Sequence, residues 1–344
     1  MLKSKMGRLK LLVLVSVMCY AVICCGQKTG EDCVMDKTIV KAKDVLEPIG
    51  GFDGGYPDAV IRYFKYYGLD FGADDVEHIF GTIESDGIRL AAHIYKPAEY
   101  KATVVLMHGY FDHCGQLNLL IEYLLEEGYA VAAFDLPGHG LSGGKRGAIE
   151  DFDQYSRTLI DFTDTVKGQL NEPYYFIGHS TGAAAMVNYL LTGGEAVFDK
   201  IILTAPLVHC SGWEQSKISY NEKIQFVKSV PRRFRRNSSD AAFLDFVKNR
   251  DPLQARTIPL NWVRALHRWN DKISDLPGCE KRIKIIQGTS DETIDWQYNI
   301  KFLEGKFSDV QISMIEGANH ELFNESAKIR KEVFSQITGY LDGE

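Results

Sequence analysis

The stretch Tyr174-Tyr175-Phe176-Ile177-Gly178-His179-Ser180-Thr181-Gly182-Ala183-Ala184-Ala185 decides the fold. Its first four residues are aromatic or apolar, as in a buried strand. The run from Ala183 to Leu191 carries small and then large apolar residues with few turn formers, as at the start of a buried helix. Between them, G-x-S-x-G puts a serine on the sharp turn from strand to helix. A Cβ at Gly178 or Gly182 would collide with the neighbouring strand and helix, and the Ser180 hydroxyl is then held out above a sheet. A glycine turn ending in a serine helix cap looks similar in isolation. The order of elements around the pentapeptide separates the two readings.

Upstream, Ala102 to Met107 is a continuous apolar run, the signature of a strand buried on both faces of a parallel sheet, and it ends in His108-Gly109-Tyr110-Phe111-Asp112-His113. A helical stripe of Leu117, Leu119, Leu120, Tyr123, Leu124 and Leu125 follows, with Gly128 as its stop. Tyr129 to Phe134 reads as the next strand, closed by the glycine-rich Asp135-Leu136-Pro137-Gly138-His139-Gly140. Asp151 to Leu170 reads as a helix, and Lys200 to Val208 as a further strand. This alternation predicts an α/β fold, a mostly parallel sheet with helices on both faces. Sites in such sheets form at the carboxyl ends of the strands, where His108, Asp135 and Ser180 stand.

Ahead of this core, Glu77 to Glu84 and Arg89 to Lys96 alternate around Ser85-Asp86-Gly87, which predicts an antiparallel hairpin at the sheet edge. Residues 26–76 read as an N-terminal surface extension with a short helix from Ala59 to Tyr67. The core rhythm runs over 77–208 and breaks over 209–280. That segment holds Trp213, Tyr220, Phe226, Trp262 and Trp269, the basic run Arg232-Arg233-Phe234-Arg235-Arg236, and helix-like pieces at 240–249 and 261–269. It resumes over 281–344: a strand ending in Gly288-Thr289-Ser290-Asp291, a second ending in Gly317-Ala318-Asn319-His320, and a closing amphipathic helix.

Ser180, Asp291 and His320 each stand just past a predicted core strand. A serine hydroxyl is a poor nucleophile at its free pKa and needs a base in contact with it. His320 is the candidate base and later acid, and Asp291 the group that fixes its tautomer. Asp295 and Glu292 are the runner-up acids. An acyl transfer also needs oxyanion donors, here the backbone N–H of Thr181 at a helix N-terminus and that of Tyr110 after the first buried strand. His108, Gly109 and His113, with Gly178 and Gly182, are read as loop-shaping residues. No ligand spacing suggests a metal, and the chemistry requires no cofactor.

A net charge of −7 and the absence of a basic, aromatic-interleaved stripe exclude a nucleic-acid binder. Residues 1–25 read as a targeting segment: Lys3, Lys5, Arg8 and Lys10, then an apolar run, then Cys24 and Cys25 as lipidation candidates. The expectation is an exported, cell-envelope protein held at the membrane surface by a lipid or by a short uncleaved anchor. Of the remaining Cys33, Cys114, Cys210 and Cys279, the pair Cys210 and Cys279 brackets the insertion and is the one to check for a disulfide.

The set HGYFDH at 108–113, DLPGHGLS at 135–142, GHSTG at 178–182, GTSD at 288–291 and GANH at 317–320 resembles the α/β-hydrolase family of monoacylglycerol lipases and lysophospholipases. Bacterial members of that family are often labelled serine aminopeptidase-like. The resemblance covers residues 77–340. It implies an eight-stranded core with a helical cap after the sixth strand, Ser180, Asp291 and His320 as the triad, and Tyr110 with Thr181 as oxyanion donors. The implied activity is serine carboxylester hydrolysis of monoacylglycerol- or lysophospholipid-like esters. The alternatives are an aminopeptidase-type peptidase and a non-catalytic envelope lipoprotein. The chain departs from the family in its bulky Tyr110-Phe111 and its basic cap. Trp and Phe residues of the cap are expected to line an acyl pocket. The arginine run is expected either to meet anionic headgroups or to be a solvated turn.

Overall fold

Apolar runs too continuous for a one-sided strand form the centre of the sheet, and everything else is arranged around them. The computed structural model describes residues 38–52, 54–71, 75–194 and 197–343. The leader, with Cys24 and Cys25, and Cys33 lie outside the described residues. In chain order the elements begin with α1 (Asp58–Tyr67), β1 (Val76–Ser85), β2 (Ile88–Pro97), β3 (Thr103–Met107) and α2 (Asn118–Glu126). They continue with β4 (Ala130–Phe134), α3 (Asp153–Lys167), β5 (Tyr174–His179), α4 (Thr181–Leu191) and β6 (Lys200–Thr204). An insertion then supplies α5 (Trp213–Lys223), β7 (Ser229–Pro231), α6 (Ala241–Asp245), β8 (Thr257–Pro259) and α7 (Leu260–Asp275). The core ends with β9 (Ile283–Gly288), α8 (Trp296–Lys306), β10 (Val310–Ile315) and α9 (Ala327–Asp342).

Eight strands form one sheet in the order β1-β2-β4-β3-β5-β6-β9-β10. The hairpin β1–β2 is its antiparallel edge, and β4, β3, β5, β6, β9 and β10 run parallel. Every residue of β3 and β4 is buried, as expected of strands covered by helices on both faces. Met107 pairs with Gly178 and with Phe134, so the ends of β3, β4 and β5 are level. The loops that begin at His108, Asp135 and Ser180 therefore leave the sheet side by side.

Three expectations are corrected. The described part of the segment before β1, from residue 38 on, is not a surface extension. Val60, Tyr63, Phe64 and Tyr67 face inward from α1, Ile39, Ala42, Leu46 and Leu69 are buried, and the backbone of Glu47 and Ile49 bonds to Thr82 at 2.8 and 3.0 Å. The i, i+3, i+4, i+7 spacing of those four residues is the physical reason: it builds one apolar stripe. Second, Cys210 and Cys279 are free thiols. Cys210 lies past the carboxyl end of β6 and Cys279 ahead of the amino end of its parallel neighbour β9, so they occupy opposite ends of the sheet.

The third correction concerns the insertion, which contains a ribbon of β7 and β8 as well as helices. Its indoles bind cap to core. Trp262 Nε1 donates to Tyr155 Oη at 3.1 Å, Trp269 Nε1 donates to Asn188 Oδ1 at 3.2 Å, and the Trp269 ring stacks on Phe152. An indole packed this way gains its burial energy together with a satisfied N–H. Phe226, by contrast, is 82% exposed.

Candidate active site

Ser180 sits where β5 turns into α4, with φ at +51°, a left-handed conformation that a β-carbon makes costly. The turn is held by the Ser180 N–H bond to the Thr204 carbonyl at 2.9 Å. A Cβ on Gly178 would come within 2.8 Å of the Ala183 nitrogen, and one on Gly182 would run into the Met107 carbonyl. Only glycine lets the elbow lie this close to β3.

Two loops from the other side of the sheet complete a line of hydrogen bonds. His320, after β10, has Nε2 3.1 Å from Ser180 Oγ and Nδ1 2.8 Å from Asp291 Oδ2. Asp291, after β9, accepts further bonds from Gln287 Nε2 at 3.1 Å and from the N–H groups of Thr293 and Ile294 at 2.8 and 3.3 Å. All three side chains are buried. Since an ionised carboxylate only accepts, Nδ1 carries the imidazole proton and Nε2 turns its lone pair to the serine hydroxyl. The runner-up acids are elsewhere: Asp295 caps α8 through the Tyr298 N–H, and Glu292 is exposed, its carbonyl accepting from Arg235 Nη1.

Burial by itself would lower the His320 pKa, but the adjacent Asp291 carboxylate outweighs it and lifts the imidazole to about 9. Burial pushes Asp291 up, and the bond to His320 more than reverses this and holds it below the usual carboxylate range. A base works only when unprotonated, so a raised pKa moves the ascending limb of activity to the alkaline side. The kcat/KM of an uncharged ester is expected to rise with pH to a midpoint well above 6.5, towards about 9, and Asp291→Asn to move that midpoint down. A wild-type midpoint at or below about 6.5 would contradict this electrostatic picture.

The loop after β3 is fixed at several points. His108 Nδ1 donates to the Gly109 carbonyl at 2.7 Å, and its Nε2 accepts the Leu136 N–H at 2.9 Å. Asp135 accepts the N–H groups of Cys114 and Leu141, both at 2.7 Å, joining this loop to the glycine-rich one. At Gly109 a Cβ would meet Asp112 Oδ2 at 2.7 Å, His179 Cδ2 at 2.9 Å and Ser180 Cβ at 3.3 Å, so the loop backbone passes directly over the elbow. Tyr110 comes next in the chain and Thr181 opens α4, which brings both predicted oxyanion residues to the serine's surroundings. The bulky Tyr110 side chain is tied to the loop after β4 and to the cap. Its hydroxyl donates to the Gly147 carbonyl at 2.6 Å and its ring stacks on Trp262 at 3.9 Å.

Several residues here escaped sequence reasoning. Asp251, in the cap, is buried and accepts from Tyr67 Oη, His113 Nε2, Gln116 Nε2, Gln254 Nε2 and the Leu253 N–H, at 2.7 to 3.0 Å. The arginine run also splits. Arg233, Arg235 and Arg236 are exposed, while the Arg232 guanidinium lies over the Phe111 ring at 4.0 Å and the Phe234 ring at 4.5 Å and bonds to Gln254 Oε1. It interacts electrostatically with Asp112 and Glu321, two buried carboxylates beside His320. Burial, with Asp112 next to it, pushes Glu321 up to about 8. Position 321 directly follows the histidine motif, the one signal that marked it. Asp251 had none, because the partners that tie it to the core, His113, Gln116 and Tyr67, lie at least 130 residues away in the loop after β3 and in α1.

A family model described as Hydrolase_4, serine aminopeptidase S33, matches residues 98–327. The chain belongs to this family. The S33 match begins just before β3 and ends at the first residue of α9, so it takes in both the elbow and the cap. The monoglyceride lipase of Mus musculus is 27% identical over 283 residues, 78% of this chain and 90% of that protein. The phospholipase YtpA of Bacillus subtilis is 25% identical over 257 residues, 70% of this chain and 95% of the relative. A solved structure of a soluble variant of monoglyceride lipase from Saccharomyces cerevisiae, in complex with a substrate analog, superposes with a TM-score of 0.67 at 19% identity. It covers 79% of this chain and 96% of that one. This member of the S33 family is thus an α/β-hydrolase similar to monoglyceride lipases and a phospholipase.

Proposed function

We propose that the protein is a serine carboxylester hydrolase acting on single-chain lipid esters, monoacylglycerols or lysophospholipids. The observation that carries this reading is the hydrogen-bonded line from Ser180 through His320 to Asp291 at the carboxyl ends of three parallel strands. Ser180 Oγ attacks the ester carbonyl while His320 Nε2 takes its proton. The N–H groups of Thr181 and Tyr110 receive the oxyanion, and His320 returns the proton to the leaving alcohol. A water activated by the same imidazole then releases the acid. The names of the mouse and Bacillus relatives support a lipid ester as substrate.

Access from a lipid surface fits one edge of the cap. Ile218, Ile224, Phe226 and Val227 are exposed there among Lys217, Lys223 and Lys228, apolar groups and cations of the kind that settle at a headgroup boundary. Export and lipid anchoring at Cys24 or Cys25 belong to the same proposal. Among the described residues no helix is long and apolar enough to cross a membrane.

The test is turnover of p-nitrophenyl esters of increasing acyl length, beside monoacylglycerols, lysophospholipids and aminoacyl p-nitroanilides. A maximum at medium or long chains, with negligible anilide cleavage, is the expected result. Efficient anilide cleavage with weak ester turnover would replace this reading with an aminopeptidase.

A further inference from the structure

Beside the serine line lies a group of side chains that ester chemistry leaves unused. Asp112, His179 and Glu321 are buried, and the ligand atoms they offer lie within 4.8 Å of one another. They come from three separate places: the loop after β3, the last residue of β5 and the loop after β10.

The state of His179 can be read from its neighbours. Thr204 Oγ1 donates its hydrogen to the Gly178 carbonyl at 3.1 Å, so it presents a lone pair to His179 Nδ1, 3.4 Å away. A neutral imidazole then carries its proton on Nδ1 and has a bare lone pair on Nε2. That Nε2 is fully buried and has no hydrogen-bond partner among the described residues. It faces Glu321 Oε2 at 3.9 Å, too far for a hydrogen bond even from a protonated carboxyl. A buried acceptor that faces a buried carboxyl group from beyond hydrogen-bonding distance is an arrangement that a cation between them resolves.

We propose that Asp112, His179 and Glu321 form a binding site for a divalent transition-metal cation of the zinc, cobalt or manganese kind. One imidazole nitrogen and two carboxylate oxygens suit zinc and cobalt, which are borderline ions, and are accepted by manganese, whereas calcium and magnesium favour all-oxygen shells. Ligands at about 2.0–2.2 Å around a tetrahedral ion stand about 3.4 Å apart, so the present 3.9 Å between His179 and Glu321 needs to close by about half an ångström, and separations of up to 4.8 Å within the trio by up to about 1.4 Å. Arg232 interacts electrostatically with both acidic groups, so its guanidinium competes with a cation for them. Asp112 Oδ2 holds the Gly109 N–H, and Glu321 adjoins His320. A bound divalent charge there disfavours the imidazolium that His320 must become, so the loaded protein is the slower one.

The proposal does not rest on the ester reading, because binding is measured without substrate. The full chain, stripped of metal by dialysis against a chelator, is titrated with Co²⁺ by calorimetry and visible absorption. One equivalent bound, with affinity reduced about tenfold or more in Glu321→Gln and again in Asp112→Asn, is the expected result. Arg232→Ala, which removes the competing cation, is expected to bind Co²⁺ several-fold more tightly. No binding to the wild type up to millimolar Co²⁺ or Zn²⁺ overturns the proposal, and so does binding unchanged in both acid variants. Should those variants fail to fold, Arg232→Ala decides: tighter binding supports the site, and unchanged or weaker binding overturns it.

Discussion

Ser180→Ala is expected to abolish ester turnover, lowering kcat roughly 10⁴- to 10⁶-fold while leaving the fold intact, because a triad acts as a unit and loses nearly all its rate with its nucleophile. The substitution removes one oxygen from a buried turn. The Ser180 N–H bond to the Thr204 carbonyl is backbone and survives. The left-handed φ at this position is no worse for alanine than for serine. The measurement pairs covalent labelling by a fluorophosphonate with steady-state hydrolysis, and thermal melting controls for folding. Labelling should vanish together with turnover. Hydrolysis retained within tenfold of wild type would mean that another nucleophile, or no covalent intermediate, carries the chemistry, and the ester-hydrolase reading would go with it.

Asp251→Ala is expected to destabilise the protein by about 3–5 kcal/mol, among the largest effects available to a residue outside the serine line. Its carboxylate is the meeting point of α1 through Tyr67, the loop after β3 through His113 and Gln116, and the cap through Gln254. Burial would raise the pKa of this carboxyl, yet the adjacent His113 holds it far below the usual carboxylate range. For His113, burial lowers the pKa, but Asp251 outweighs burial and raises it, so the pair is ionic. Removing the carboxylate leaves a buried imidazolium and several buried donors without a partner. For a histidine raised on folding, the stabilisation is fully present below the unfolded pKa and is lost as pH rises through the folded one. Asp251, depressed on folding, loses its share as pH falls below about 3.8, so the gap between wild type and variant in chemical denaturation should be widest between about pH 4 and 6.5 and should narrow as pH rises through the raised His113 pKa. A loss under about 1 kcal/mol at pH 6 would show that water or a rearranged cap replaces the carboxylate.

The sheet was legible because its strands are marked locally. Val104 to Met107, Ala130 to Phe134 and Phe176 to Gly178 are apolar without alternation, which only a strand covered on both faces tolerates. The elbow was legible for a different reason: two glycines and a serine stand where backbone sterics leave no other choice. Ser180, Asp291 and His320 could be named because each follows a recognisable strand, and the structure brings them within hydrogen-bonding distance. The residues that escaped have partners far away in the chain. Tyr63 and Tyr67 looked like part of a surface helix, although their spacing with Val60 and Phe64 already described an apolar stripe that needed a neighbour. Arg232 looked like its exposed neighbours, and nothing nearby in sequence says that Phe111 lies under it.

By itself, then, the sequence determined the α/β alternation, the hairpin edge, the elbow and the identity of the residues at the strand ends. All of these follow from backbone sterics and from burial patterns repeating over a few residues. Tertiary structure alone decided which of three acids meets His320, that the described segment before β1 packs into the core, that Cys210 and Cys279 stand at opposite ends of the sheet, and that the cap reaches the loop after β3 through Asp251. It also decided that Asp112, His179 and Glu321 form one buried cluster. Each of these depends on which distant surfaces are pressed together, and local propensity carries no record of a charge or a ring that arrives from a hundred residues away.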